Sequence, residues 1–585
     1  MIRPLIFVFL AGLLPLLAAP PNIVLIMTDD QGYWDTGVSG NPHISTPHMD
    51  RIAREGVQFT RFYAAPVCAP TRAGVMTGRY YLRTGLYNTR FGGDTLGKDE
   101  ITVAQLLKRA NYRTGLFGKW HLGKYHGYQP QQRGFDEFLG HYHGHIERYE
   151  FADQLVHNGT PVKTRGYVSE LFTAAAMDFI SATHKQTDQP FLCTLMFNAP
   201  HSPWVLDTSH YGQPEGDKLL TKYLNKKMPI REARVYALIE RVDQNIGRLL
   251  AHLKTLGIER DTLVIFMSDN GGVSKFWKGG LRGNKGGVHE GGVRSPLYAR
   301  WPGTIPAGSK VEAQTSHVDL LPTFCELAKA PLPKDRQIDG KSFASLLKTG
   351  RGKQHQPYVY HTWNRYTPNP DKRWSVSDQR WKLVGLFTKT KPNPAKWQLY
   401  DLQADPGETK NIADQHPAEV RRLRKAFTDW FSEVTAGQTY RPVPIPVGHD
   451  MRPVELQPSW ATWTGPHINY TFDGYDWDTI DSWKTQGEQA VWQLEVAQAG
   501  RYAVTLRYGC APLEAGGILR LSAKSQSLDH KVRATVTAEQ FSQFPAGALN
   551  LPAGQATFKA TIHHAGPGEF MRLNGIHLQR LPNSR

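Results

Sequence analysis

The chain has 585 residues, of which 40% are hydrophobic and 21% charged, an ordinary globular composition that excludes a disordered or fibrous protein. Its length exceeds one typical domain, so two or three are expected. The formal charge of +17 is unevenly placed: Asp450–Arg585 carries 12 Lys+Arg against 12 Asp+Glu and nets zero, which leaves the surplus in the part before it. A basic surface can steer anionic partners, and it is also what a generally basic soluble surface looks like.

From Met1 to Ala19 one Arg precedes the apolar run LIFVFLAGLLPLLAA. The run is short, is interrupted by Pro15 and ends in small residues, which suits a cleaved signal peptide over residues 1–19 better than a membrane span. An exported protein, periplasmic or secreted, without a stable membrane anchor, is therefore expected. Asn22–Thr28 (NIVLIMT) is a short apolar run of the kind found in fully buried parallel strands. Val103–Ala110 has helical spacing and leads into a strand-like Tyr112–Phe117. Phe191–Phe197 (FLCTLMF) and Thr262–Met267 (TLVIFM) are two more buried-strand candidates. Between them Val235, Leu238, Ile239, Val242, Ile246, Leu249, Leu250 and Leu253 form the stripe of a core-packing helix.

This alternation predicts an α/β fold over residues 20–350: a large mixed, mainly parallel sheet sandwiched by helices. Over 351–440 the pattern changes to antiparallel strands (WKLVGLF, WQLYDL) and an amphipathic helix (PAEVRRLRKAFTDWFSEV), a small α+β subdomain. Arg441–Pro446 (RPVPIP) reads as a Pro-rich linker. Residues 450–585 read as a β-sandwich, with Tyr502, Val504, Leu506 and Tyr508 on one face of a strand and Phe570–Leu578 as a closing strand. Its Trp460, Trp463, Trp477, Trp483 and Trp492 invite a carbohydrate-binding role, although tryptophans more often pack cores. The four cysteines do not form a disulfide framework: Cys193 and Cys325 sit in apolar contexts typical of buried free thiols, and Cys510 closes a strand. Cys68, in a polar loop, needs its own explanation.

Polar groups gather where the buried strands stop. NIVLIMT ends in Asp29-Asp30, TGLFG in Lys119-Trp120-His121, FLCTLMF runs into Asn198-Ala-Pro-His201, and TLVIFMS into Asp269-Asn270. In open α/β sheets, ligands bind beyond the carboxyl ends of the strands. Any one ending is explained by a turn; four together point to a site. Asp29, Asp30, Asp269 and Asn270 offer hard oxygens, suited to Ca²⁺ or Mg²⁺ rather than a thiolate-rich zinc site. Lys119, His121, His201 and Lys285 supply positive charge and exchangeable protons for an anionic substrate with a poor leaving group. Gly283-Asn284-Lys285-Gly286 lacks the Ser or Thr of a P-loop, and His289-Glu290-Gly291-Gly292 lacks the second His of a zinc-protease helix. The His-rich stretch Gly140–His145 is open to two readings, substrate contact or surface-loop histidines, and the second is the first choice.

Cys68-Ala69-Pro70-Thr71-Arg72, followed by Ala73–Arg79 (AGVMTGR), closely resembles the maturation signature of the type I sulfatases, formylglycine-dependent enzymes of the alkaline phosphatase superfamily. Further motifs stand in the family's order: PNIVLIMTDDQG, GKWHLG, NAPHSP, SDNGG, GNKGGVHEGGVRSP and LYDLQADPGETKNIA. The resemblance covers roughly residues 20–435. It implies that Cys68 is oxidised to formylglycine and that Asp29, Asp30, Asp269 and Asn270, with modified Cys68, bind one Ca²⁺. It further implies that Arg72 holds the formylglycine, Lys119 and Lys285 bind sulfate oxygens, His121 assists the modified residue, and His201 with Lys285 protonates the leaving alcohol.

A hydrated aldehyde presents two hydroxyls on one carbon. One attacks sulfur and expels the alcohol; the second lets the sulfated carbon collapse back to aldehyde, which an ordinary Ser cannot do. The expected partners are a sulfated carbohydrate and a formylglycine-generating maturation enzyme, with no nucleic acid. Two alternatives stay open at this point: a formylglycine-dependent phosphonate monoester or phosphodiester hydrolase, and a noncatalytic glycan-binding protein.

Overall fold

The four apolar runs lie side by side. In the computed structural model, which describes residues 19–150, 152–204, 218–365, 367–386, 397–471 and 478–582, the strand Asn22–Thr28 pairs in parallel with Phe191–Met196 on one side and Thr262–Ser268 on the other. Arg113–Lys119 continues the sheet in parallel beyond Phe191–Met196. These strands are buried on both faces because helices cover both, so their sequences read as continuous aliphatic runs rather than alternating ones. They form the centre of a ten-stranded mixed sheet whose outer members include antiparallel pairings, such as Leu297–Arg300 against Thr262–Ser268. The predicted mainly parallel α/β layer is thus present.

The helix Ile230–Thr255 buries all eight residues of the expected stripe. Each large aliphatic side chain so buried contributes roughly 1.5–3 kcal/mol, enough to hold the helix against the sheet without a functional role. The helix Val103–Arg109 starts where Thr102 and Gln105 form a reciprocal capping box, and a short turn delivers the chain into Arg113–Lys119. Four antiparallel strands, from Val359–Thr362 to Trp397–Asp401, make the small second sheet. The helix Pro417–Thr435 packs on it through Leu423, Phe427 and Trp430.

The C-terminal part adds two six-stranded sheets enclosing one apolar core. Tyr502, Val504, Leu506 and Tyr508 are all buried in it. The Pro-rich stretch is more than a linker: Ile445–Val447 pairs in parallel with Gln489–Val496 and contributes the first strand of this unit. Trp460, Trp483 and Trp492 are buried in its core, so those rings are unavailable to a sugar, and Trp477 lies outside the described residues. The unit docks on the α/β part through Tyr125, whose ring meets Trp460 edge-on at 4.7 Å and whose hydroxyl donates to Glu455 O at 2.8 Å. Cys68, Cys193, Cys325 and Cys510 are all free and buried. Among the described residues, no helix is long and apolar enough to cross a membrane; residues 1–18, where the expected signal peptide falls, lie outside them.

Candidate active site

Neighbouring strands in the order Thr262–Ser268, Asn22–Thr28, Phe191–Met196 and Arg113–Lys119 present their carboxyl ends to one crevice. Asp269, Asp29 and Lys119 leave adjacent or near-adjacent strand ends, and all three are buried. Lys119 Nζ forms an ion pair with Asp29 Oδ2. Asp30 comes next in the left-handed region at φ 73°, a conformation that Asp tolerates at a cost of about 1–3 kcal/mol. Its N–H donates to Asp269 Oδ1 at 3.2 Å, and Asn270 Nδ2 donates to Asp30 Oδ1 at 2.9 Å. The two acid pairs are thereby stitched across the strands.

Cys68 is the first residue of a helix, Cys68–Thr77, buried along its whole length. Thr71 Oγ1 accepts the N–H of Ala65 at 2.8 Å, pinning the turn before it. Arg72 stands one helical turn after Cys68, on the same face. Its Nε and Nη2 reach Asp269 Oδ2 at 3.2 and 2.9 Å, Nη1 donates to Lys119 O at 2.8 Å, and Nη2 lies 3.8 Å from Asp29 Oδ2. The ligand atoms of Asp29, Cys68 and Asp269 lie within 4.8 Å of one another, as do those of Asp29, Asp30 and His201.

The donor set fits a hard cation. Asp29 Oδ1 and Asn270 Oδ1 are buried without a hydrogen-bond partner, and a buried, unpaired carboxylate oxygen is costly unless something positive meets it. Burial, together with the negative charge of Asp29, pushes Asp269 up to about 7 and raises Asp30. Burial would raise Asp29 too, but the positive charges led by Lys119 hold it well below the usual carboxylate range. A divalent ion among these oxygens would relieve the repulsion. The oxygens of Asp29, Asp30, Asp269 and Asn270 fit a hard divalent ion such as Ca²⁺.

The remaining groups ring Cys68. Lys285 Nζ lies 2.6 Å from Asp30 Oδ1, and its loop is anchored by Gly286 N–H donating to Pro66 O at 2.8 Å. His201 Nε2 lies 3.8 Å from Asp30 Oδ2, while its Nδ1 donates to Ser202 O at 2.7 Å. Burial first, and then the charge of Lys285, push His201 down to about 3. His121, at φ 59°, donates from Nε2 to Thr89 O at 3.1 Å and lies 3.6 Å from Asp94. A side chain at Gly144 would stand 2.3 Å from the His121 ring, so glycine there is what admits it. Every site residue named from the sequence is in this one constellation.

The His-rich stretch corrects its reading as a surface loop. His141 is fully buried and its Nε2 meets Asn198 Nδ2 at 2.7 Å, while His145 lines the cleft and packs edge-on against His201 at 5.0 Å. The pairing of Gly118 and Lys119 with Gly140 and His141 in parallel register draws this segment inward, a relationship of topology rather than composition. The cleft above Cys68 has a volume of about 800 Å³.

Comparison with known proteins agrees with this geometry. The Sulfatase family model matches residues 21–330. The chain belongs to the sulfatase family. A second family model, N-sulphoglucosamine sulphohydrolase, C-terminal, matches residues 284–434 of this sulfatase. Human arylsulfatase A is 32% identical over 510 residues, 77% of this chain and 94% of that protein. Mouse N-acetylgalactosamine-6-sulfatase is 33% identical over 380 residues, 59% of this chain and 69% of that protein. Among solved structures, Ps i-CgsB superposes with a TM-score of 0.64 at 28% identity, covering 72% of this chain and 95% of the other, and it is also known in complex with k-i-k-neocarrahexaose. The sulfatase is accordingly a sulfuric ester hydrolase of the alkaline phosphatase superfamily.

Proposed function

We propose that this sulfatase releases sulfate from sulfated carbohydrates, through a formylglycine made from Cys68 beside a bound Ca²⁺. The observation that carries the reading is the convergence of Cys68 Sγ, Asp29 and Asp269 within 4.8 Å, at the start of a buried helix whose first-turn N–H groups favour an anion. The names of relatives add to it: a galactosamine sulfatase among sequences, and an oligosaccharide complex among structures. Maturation would require a formylglycine-generating enzyme. Residues 20–350 would form the catalytic domain, 351–440 its α+β subdomain, and the stretch after them an appended sandwich. The apolar start, residues 1–19, supports export to the periplasm or outside.

Each side chain has a task that its surroundings support. Arg72, locked by Asp269 and the Lys119 carbonyl, fixes the position of residue 68. Lys119 and Lys285 flank the crevice and hold sulfate oxygens. His121 orients the modified residue. Lys285, half-buried and held charged by Asp30 and the acids around it, keeps a proton beside the leaving oxygen. His201 is neutral in the substrate-free site; a sulfate placed beside it draws its affinity for a proton upward, so that it shares delivery to the alcohol with Lys285. When bound, the cation offsets transition-state charge, and the hydrated aldehyde supplies a nucleophilic hydroxyl with a second hydroxyl for regeneration.

The test is sulfate release from a panel of sulfated saccharides by matured protein and by Cys68→Ala. Release by the first and none by the second supports the reading; equal release by both refutes it.

A further inference from the structure

The cleft is far more cationic than one sulfate ester requires. Besides Lys285, its wall carries Arg90, Arg231, Lys275, Arg365, Lys372 and Arg373, against one carboxylate, Asp94, among the described lining residues. Arg90, Arg231 and Arg373 are held by the protein, Arg90 over the Phe91 ring at 6.0 Å. Arg231 pairs with Glu232 at 2.6 Å and donates to Val273 O at 2.9 Å, while Arg373 donates to Gly286 O at 3.0 Å. The side chains of Lys275, Arg365 and Lys372 are different. They are exposed, and they make no hydrogen bond or ion pair with a described residue.

They come from two separate places. Lys275 lies on the loop beyond the strand Thr262–Ser268. Arg365 and Lys372 lie on the connection between Val359–Thr362 and Trp374–Ser377, so the small antiparallel sheet reaches over the crevice. Through Arg373 and Gly286 the same connection touches the neighbour of Lys285. Like charges crowded around one concavity repel each other and destabilise it, and low-dielectric walls focus their field. Glu232 offsets Arg231 and Asp30 offsets Lys285, which leaves Lys275, Arg365 and Lys372 without a carboxylate partner among the described residues. A ligand carrying more than one negative charge would match them.

We propose that this outer cleft is a second anion subsite, selecting saccharides that carry at least two sulfates: one presented to residue 68 and Lys285, another held by Lys275, Arg365 and Lys372. The inference rests on the reading of the substrate as a sulfated carbohydrate and adds a requirement to it. Guanidinium forks suit a sulfate held by two oxygens, and exposed contacts of this kind weaken as salt rises.

Isothermal titration of the wild-type chain with sucrose octasulfate and with glucose 6-sulfate tests the subsite without needing turnover. The octasulfate is expected to bind at least about tenfold tighter, a difference of about 1.4 kcal/mol, and the advantage is expected to shrink as salt is added. The double variant R365A/K372A should lose most of that preference. K185A/K254A, which removes the same charge from exposed helix positions elsewhere, should keep it. No preference in the wild type, or equal loss in both double variants, overturns the subsite in favour of diffuse attraction to a basic surface. Turnover of 4-nitrophenyl sulfate by matured protein reports separately on ester cleavage, so a failure there strikes the catalytic reading and leaves the titration result standing.

Discussion

Arg72 donates two hydrogen bonds, from Nε at 3.2 Å and Nη2 at 2.9 Å, to one oxygen of Asp269, Oδ2. The other oxygen is thereby left to accept the N–H of Asp30. Removing one member of a buried pair costs about 3–5 kcal/mol, because its partner is left charged and unmatched. Asp269 is already pushed up to about 7 by burial and by Asp29, so protonation offers it an escape. Arg72→Gln in cation-free protein should therefore lose more stability at pH 8 than at pH 6 in urea denaturation. An equal loss at both values would mean that the pair is not the source.

Cation binding should depend on pH in a defined direction. Asp269 has a folded value above the ordinary carboxylate value of about 4, so its contribution to stability is present below that value and lost as pH rises through about 7. Asp30 is shifted the same way, mainly by burial. Asp29 is shifted the other way, and its contribution disappears on acidification. A cation competes with the protons on Asp269 and Asp30. The rise in Tm on adding Ca²⁺ to chelator-treated protein should be small at pH 5 and larger at pH 8. A rise independent of pH would place the ion elsewhere.

In the proposed mechanism, a proton shared by His201 and Lys285 matters only for alcohols that leave badly. His201→Gln should lower kcat for alkyl sulfates by about 10²–10⁴-fold, and lower it far less for 4-nitrophenyl sulfate, whose phenolate leaves unaided. Steady-state kinetics on the two substrates decides it. Equal losses on both would assign His201 to binding rather than to proton delivery.

A buried ionic cluster braces the Lys285 loop from behind. Lys382 Nζ lies 2.8 Å from Glu290 and 3.1 Å from Glu408, all three fully buried, and Glu408 accepts the N–H of Glu290 at 2.6 Å. Lys382→Met would leave Glu408 facing Glu290 with Arg294, 3.7 Å from Glu290, as the remaining countercharge, and should cost about 3–5 kcal/mol. Adding Glu290→Gln should recover part of that loss, because the two changes act on one network. Denaturant unfolding of the single and double variants checks this, and strict additivity contradicts it.

Much of the catalytic layer was legible because fully buried parallel strands leave unbroken aliphatic runs, and the residues just after each run must sit at the sheet's carboxyl edge. That put Asp29, Lys119, His201 and Asp269 together without knowledge of strand order. The inward turn of His141 and His145 was not legible, since a Gly- and His-rich stretch looks like a loop until its pairing with Gly118–Lys119 is seen. Lys382, Glu290 and Glu408 were missed because their partnership spans distant segments; the available signal was a lysine flanked by Trp381, Leu383 and Val384 inside an apolar strand. The basic connection around Arg365 and Lys372 was not singled out, because isolated Arg and Lys residues in a polar stretch carry no spacing signal. The Pro-rich stretch misled for a related reason: an edge strand tolerates proline, so Pro446 can sit within Ile445–Val447 and still pair.

The proposed catalysis turns on the chemistry of residue 68, and mass spectrometry of the peptide containing it, taken from protein that releases sulfate, measures that chemistry directly. The expected result is an aldehyde at position 68, trapped by a carbonyl-reactive amine in proportion to activity. An intact thiol at that position in fully active protein would contradict it.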